Sequence, residues 1–322
     1  SAASSEVYQD LFGEGSFTGK GLLHVQALHA VLGGRLPEGQ VLSHDLLEGS
    51  LARCAAVTDI SLIEDAPFHA DVAASRVQRW TRGDWQLLPF LLQPRRWPLR
   101  AVNRWKMFDN LRRSLVAPAS LALLLLSLAG LGVSPWAALA LVMAALSAGP
   151  LMGALAGFSP SRDDLAKLFF YRQAGTELLR AAAGGLWLLA QLLPQALQSL
   201  DAITRALYRM TISRRLLLQW PTAAAAQAAA KTALPDVLRQ HWRSPVLALL
   251  MLAGLLAAGT PTPALATALC LLWAASPLAS WWVSRPRAAQ QKDAALAADD
   301  QAYLTEIARD TWGFFERVIG PA

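Results

Sequence analysis

The chain has 322 residues, 54% of them hydrophobic and 16% charged, with a formal net charge of +6. A soluble domain carries roughly 25% charged residues; here the apolar excess is gathered into Leu/Ala runs, which argues against a wholly soluble globule and for membrane spans. The arginines flank those runs, so positive-inside topology accounts for the charge and no nucleic-acid partner is expected, while two distant cysteines, Cys54 and Cys270, offer neither a disulfide framework nor a CxxC metal pair.

Residues 1–113 read as a mixed, soluble-looking region. It opens abruptly at Ser1-Ala2-Ala3-Ser4, without initiator Met or signal peptide, as a piece of a longer polypeptide would. Gly13-Glu14-Gly15-Ser16-Phe17-Thr18-Gly19-Lys20-Gly21 fits neither G-x-G-x-x-G nor G-x-x-x-x-G-K-[ST], and taken locally it reads as a flexible loop. Residues 22–32 have helical periodicity, and Pro37-Glu38-Gly39 is a turn. Residues 41–49 begin extended and enter a helix at Ser43 or His44, with Asp45 near its N-terminus. Residues 59–63 alternate like a short strand and end at Glu64-Asp65-Ala66-Pro67. The spacing predicts a helix over 70–85, with Arg76, Arg79 and Arg82 on one broad face. Pro89, Pro94 and Pro98 then interrupt the chain before 104–113, a basic amphipathic stretch of the kind that lies on a membrane surface.

Membrane spans are expected at about 115–133, 135–158, 245–258 and 263–283. Residues 181–198 are apolar but carry Gln191, Pro194, Gln195 and Gln198, which suits an interfacial or re-entrant helix. Residues 201–220 hold Arg205, Arg209, Arg214 and Arg215 and cannot sit in lipid. Positive residues precede the first span, fill the middle loop and follow the last span, whereas the hairpin tips have none. Both termini are therefore expected in the cytoplasm. The tail from 285 reads as soluble and mostly helical.

The densest chemistry lies at 76–86, where Arg76, Arg79, Arg82, Asp84, Trp80 and Trp85 crowd together. Arginine forks bind phosphate oxygens, and tryptophan faces stack on sugars or cations. Such a helix can also be a solvated basic surface, but two tryptophans and the following span favour a phosphate-and-sugar site. Asp45 can serve as a general base or merely as a first-turn acid, and Glu64-Asp65 can bind hydroxyls or be solvated. The five histidines show no metal-ligand spacing.

Arg76-x-x-Arg79-Trp80 resembles the [QR]-x-x-R-W motif of processive, membrane-bound inverting glycosyltransferases such as cellulose and hyaluronan synthases. Ser43-His44-Asp45 stands where that superfamily has its T-E-D general-base motif, and Phe17-Thr18-Gly19-Lys20-Gly21 where the acceptor-side glycine loop lies. The longer runs are similar to the cyclic β-1,2-glucan synthase family. These are residues 12–21, Leu42-Ser43-His44-Asp45-Leu46-Leu47-Glu48-Gly49, Arg79-Trp80-x-Arg82-Gly83-Asp84-Trp85-Gln86, residues 201–209 and 213–220, and residues 309–316. The last of these resemble the start of a following glycoside-hydrolase-like domain.

That resemblance covers essentially the whole chain. It implies a mainly α membrane protein, with a partial α/β (GT-A-like) glycosyltransferase lobe at 1–113, a transmembrane helix bundle at 114–284, and at 285–322 a cytoplasmic tail that begins the next domain. It implies an inverting, UDP-glucose-dependent hexosyltransferase acting on a growing β-1,2-glucan in a bacterial inner membrane. Asp45 would be the catalytic base. His44, Arg76, Arg79, Trp80, Arg82, Asp84, Trp85, Gly19 and Lys20 would bind substrate, with Arg79 toward the diphosphate and Trp80 under the acceptor ring. His44 stands where the superfamily has Glu, although it fits the closer family. A divalent cation (Mg or Mn) is expected for the full enzyme, with its ligands, like the uridine-binding aspartate and D-x-D motif, upstream of residue 1. Hydrolase-like and phosphorylase-like domains are expected downstream, and the polypeptide alone is expected to be inactive. The rivals are another processive β-glycan synthase and a non-catalytic membrane anchor or export module whose basic face binds anionic lipid.

Overall fold

The computed structural model describes the chain except residues 1, 20, 38, 43, 58–66, 68, 159–166, 286–296 and 319–322. Two compact units result, Ser1–Ser284 and Arg285–Ala322.

The first unit begins with short helices α1 (Ala2–Phe12), α2 (Val25–Leu32) and α3 (Asp45–Ala52). They lead to α4 (Ala70–Gln86) and α5 (Leu88–Leu92). The His69 ring caps α4 by accepting from the Asp71 amide, and Pro89 sits in the first turn of α5, so the sequence marks both ends of α4. No strand occurs among the described residues, so this region is helical where an α/β lobe is expected. Residues 59–63 and the Glu64-Asp65 pair lie outside the described residues, as do Lys20 and Ser43.

Next come α6 (Ala101–Leu128) and α7 (Pro135–Ala156), two helices long and apolar enough to cross a membrane. The basic stretch 104–113 does not form a separate surface helix; it is the first part of α6. Some polar side chains at the start of α6 reach back to the preceding region, while Arg112 and Arg113 pair with Asp109 on the helix itself. Asn103 donates to Glu14 at 2.6 Å, and Lys106 donates to the Gly15 carbonyl at 2.6 Å.

Helices α8 (Lys167–Ala190) and α9 (Leu192–Tyr208) follow, broken at Gln191, and a π-helical turn, Arg209–Ser213, extends α9. The predicted helix over 181–198 is thus two helix ends meeting inside the bundle. The chain continues through α10 (Ala223–Ala229), α11 (Leu234–Gln240), α12 (Arg243–Ala257), α13 (Pro263–Ala274) and α14 (Ser276–Val283). At about 1.5 Å per residue, α12 falls short of a hydrocarbon core about 30 Å thick. Helices α13 and α14 meet at 45° and make one broken span or a re-entrant pair.

The two breaks face each other. Gln191 donates to the Ser276 carbonyl at 3.2 Å, and the Trp273 indole donates to the Leu189 carbonyl at 3.1 Å. Carbonyls freed at a break within an apolar bundle need such partners, because lipid supplies none. Around them Leu124, Leu128, Val142, Leu192, Leu193, Leu269 and Trp273 form the main core. The hairpin tips also touch, with Thr260 donating to the Leu128 carbonyl at 2.6 Å. A smaller core of Leu47, Leu87, Phe90, Trp97 and Met107 ties α3 and α5 to α6.

In the second unit, α15 (Ala298–Val318) carries exposed Tyr303, Leu304, Ile307, Trp312, Phe314 and Phe315.

Candidate functional site

Helix α4 presents two working faces. Toward the 209–220 segment, Arg82 is only 7% exposed, so it is not free for a ligand. Its guanidinium donates to the Gln219 carbonyl at 2.8 Å and to the Leu217 carbonyl at 3.4 Å. One turn on, the Gln86 amide donates to the Leu217 carbonyl at 3.1 Å and accepts from the Leu42 amide at 2.7 Å. Arg209 closes the latch from the other side, donating to the Leu216 carbonyl and the Gln219 side chain. Burial lowers the Arg82 pKa, with Arg209 and Arg205 adding repulsion.

Of the three arginines expected on one broad face, Arg79 and Arg82 both turn toward residues 217–220, whereas Arg76 turns to Trp80. Steps of three residues fall about 60° short of a full turn, so successive arginines drift around the helix. Arg76 lies over the Trp80 ring at 4.9 Å, Arg79 over the Trp220 ring at 4.4 Å, and Arg82 is buried. Arg79 keeps its N–H groups free of any carboxylate among the described residues. Trp85 gives its indole N–H to Ser114 at 2.9 Å and so seats α4 on α6.

The opposite face of α4 borders a cavity of about 2270 Å³. Trp80, Thr81 and Asp84 line it from α4, Asp45 and Glu48 from α3, and Thr18 and Gly21 from the glycine loop. Asp84 accepts from Asn110 at 2.9 Å, and burial pushes its pKa up to about 6 against the pull of that bond and of Arg113.

Asp45 begins α3, as the residue pattern predicts, with His44 as N-cap residue. The His44 ring pairs with Glu48 at 2.8 Å. Gly19 lies directly against Asp45: at φ +88°, a Cβ there would stand 2.7 Å from Oδ2 of Asp45. The start of the glycine loop is held in place, with the Gly15 amide donating to the Cys54 carbonyl and the Ser16 amide to the Ser5 hydroxyl. Glu14, 1% exposed, accepts from Arg100 and Asn103 at 2.6 Å each. Gly49 makes room for Phe17, whose Cβ a side chain at 49 would meet at 2.5 Å.

The structure thus brings Asp45, Trp80 and Asp84 around one cavity, with Gly19 against Asp45. Arg79 lies on the neighbouring face, and Arg82 and Trp85 are structural supports. Sequence reasoning missed Glu14, Gln86 and the cluster at the start of α4. There Asp71 binds His241 at 3.0 Å and Gln240 at 3.1 Å. Burial alone would raise the Asp71 pKa, but the His241 bond and charge bring it below the usual value. Only Gln86 carried a signal, since it sits inside the dense stretch.

No family model matches the chain. The chain is similar to the cyclic beta-(1,2)-glucan synthase NdvB of Rhizobium meliloti (strain 1021), being 41% identical over 317 residues. That alignment takes in 98% of this chain and 11% of the relative, so the chain is a homologue of one segment of a much longer protein.

Proposed function

We propose, with that kinship as premise, that the chain is a segment of a membrane glucosyltransferase that builds cyclic β-1,2-glucan and that it carries the acceptor side of the transfer site. UDP-glucose is the donor. Asp45 takes the proton of the acceptor 2-hydroxyl as that oxygen attacks the anomeric carbon of the donor glucose. The bond from that carbon to the diphosphate breaks, UDP leaves with the electron pair, and the configuration inverts. Trp80 stacks under the acceptor ring and Asp84 accepts from its hydroxyls, while Arg79 and Arg76 offset the charge growing on the diphosphate. His44 and Gly19 border the acceptor.

The observation that carries this reading is the contact of Gly19 with the Asp45 carboxylate on a cavity wall shared with Trp80. A general base must reach its proton within about 3 Å, and a side chain at position 19 would crowd the carboxylate that has to do so.

The full enzyme is expected to use Mg or Mn. Among the described residues, His44, Asp45 and Glu48 form the group whose ligand atoms lie within 4.8 Å of one another. In this reading Asp45 is kept for proton transfer, and His44 and Glu48 pair with each other. We assign the metal ligands and the donor-binding residues to the rest of the longer protein, and no step here runs through them. The kinship with a bacterial synthase supports an inner-membrane location, and the arginine pattern supports cytoplasmic placement of both ends of the chain.

The test is incorporation of glucose from UDP-glucose by the full-length protein in membranes, followed by linkage analysis. A β-1,2-linked cyclic product is expected. A different β-linkage would make it another processive synthase, and no incorporation would leave an anchor or export module.

A further inference from the structure

The glycine loop is fastened at its start to the first turns of α6, a helix long and apolar enough to cross a membrane. Glu14 is 1% exposed, and both of its oxygens are taken. One accepts from Arg100 and the other from Asn103, at 2.6 Å each. About one turn further along α6, Lys106 donates to the next carbonyl, that of Gly15, and its ammonium lies 4.7 Å from the centre of the Tyr8 ring. Arg53 stands 4.0 Å from the same Glu14 carboxylate. A buried carboxylate is costly unless it is paired and hydrogen-bonded. Charge-assisted bonds of this kind are short and demanding in geometry, so the cluster fixes the backbone at Glu14 and Gly15 closely.

From that anchor the loop reaches the proposed base through a series of close contacts. A Cβ at Gly15 would meet the Ala56 nitrogen at 2.9 Å, so the backbone there lies flat against the segment that follows α3. Phe17 seats on Gly49 of α3, one turn beyond Asp45, and Gly19 abuts the Asp45 carboxylate. Close-packed contacts transmit displacement, because interiors have little free volume to absorb it. A shift at Glu14 is therefore passed along the loop to the carboxylate of Asp45.

We propose that Glu14, together with Asn103 and Lys106 of α6, is a positioning residue for glucosyl transfer: the buried cluster holds the glycine loop where it sets the Asp45 carboxylate for the acceptor hydroxyl. The proposal rests on the reading of Asp45 as the base. The three side chains act through the loop backbone, and the placement of the base is thereby fixed from the start of a helix that enters the membrane. Glu14 is the centre of the cluster, since it binds the Asn103 amide and the Arg100 guanidinium at once.

The experiment uses the full-length protein in membranes. Glu14→Leu removes both acceptor oxygens at similar volume. Glu14→Gln keeps two bonds, because its oxygen can face Arg100 while Asn103, with its amide turned over, accepts from its nitrogen. Three quantities are read: kcat for glucose incorporation, KM for UDP-glucose, and the rate at which N-ethylmaleimide labels Cys54, followed on the Cys54 peptide by mass spectrometry. Cys54 reports on the loop because its carbonyl accepts from the Gly15 amide and its half-buried thiol is next to the Phe17 amide. Glu14→Leu should lower kcat about tenfold or more, keep KM for UDP-glucose within about twofold, and label several-fold faster. Glu14→Gln should restore kcat and labelling to within about threefold of wild type. Lys106→Met, which frees the Gly15 carbonyl, should behave as Glu14→Leu does and replaces it if that variant does not fold. Faster labelling with a wild-type kcat would overturn the proposal and leave Asp45 as the base. A lowered kcat with unchanged labelling would also overturn it, as would wild-type values of both, or a Glu14→Gln variant as slow as Glu14→Leu. Wild-type activity in Asp45→Asn would overturn the underlying reading and this inference with it.

Discussion

Gly19 shows how little room surrounds the proposed base. Adding one methyl group there places a carbon 2.7 Å from Oδ2 of Asp45, at a φ that side chains disfavour. The carboxylate must move, and a displacement of about 1 Å can cost on the order of 100-fold in rate. Gly19→Ala should therefore lower glucosyl transfer by about that factor in full-length protein of unchanged Tm; an activity within a few fold of wild type would argue that Asp45 is not the base. Asp84 is tested by pH. Its folded-state pKa, about 6, stands above the ordinary carboxylate value of 3.8. The protonated acid thus favours the fold, a contribution complete below pH 4 and lost as the pH rises through about 6. Asp84→Asn should flatten that part of the Tm–pH profile and raise Tm at pH 7.5 relative to wild type. A wild-type protein that gains Tm over the variant between pH 5 and 7 would reverse the assignment. At this scale the sequence was uneven. Asp45 was legible because His44-Asp45 precedes an apolar helical pattern. Glu14 was not, because one acid among glycines has no periodicity and its partner Asn103 lies 89 residues away.

Helix α4 is the element that ties the site together. Gln86 alone joins the Leu42 amide, just before Asp45, to the Leu217 carbonyl in the arginine-rich segment. Replacing it by Leu removes two hydrogen bonds at a buried position, about 1–2 kcal/mol, which corresponds to roughly 5–30-fold more frequent opening of that segment. Limited trypsin digestion of Gln86→Leu should then cut after Arg214 or Arg215 at least fivefold faster than in wild type, both residues being exposed; an unchanged cleavage rate would mean that Arg82 and Arg209 hold the segment without it. The limits of α4 were readable, because His69 and Asp71 open it and Pro89 follows it. The break at Gln191 was not. The apolar pattern runs through it, and only the Ser276 carbonyl, 85 residues on, gives the Gln191 amide its partner. The same holds for the basic start of α6, where Lys106 finds its partner in the Gly15 carbonyl, 91 residues away.

In the first unit, Ser1–Ser284, a helical cap bearing Asp45, Gly19, Trp80 and Asp84 is packed on a bundle with two helices able to cross a membrane. One cavity is lined by residues of both parts. The hydrophobic runs made the membrane character legible. The cavity was not, since it arises from contacts between elements far apart in sequence. The account stands or falls on Asp45. In full-length protein, UDP-glucose incorporation into β-1,2-glucan by Asp45→Asn should fall by on the order of 100-fold or more, with Tm and membrane insertion as in wild type. Incorporation by Asp45→Asn within a few fold of wild type would contradict it.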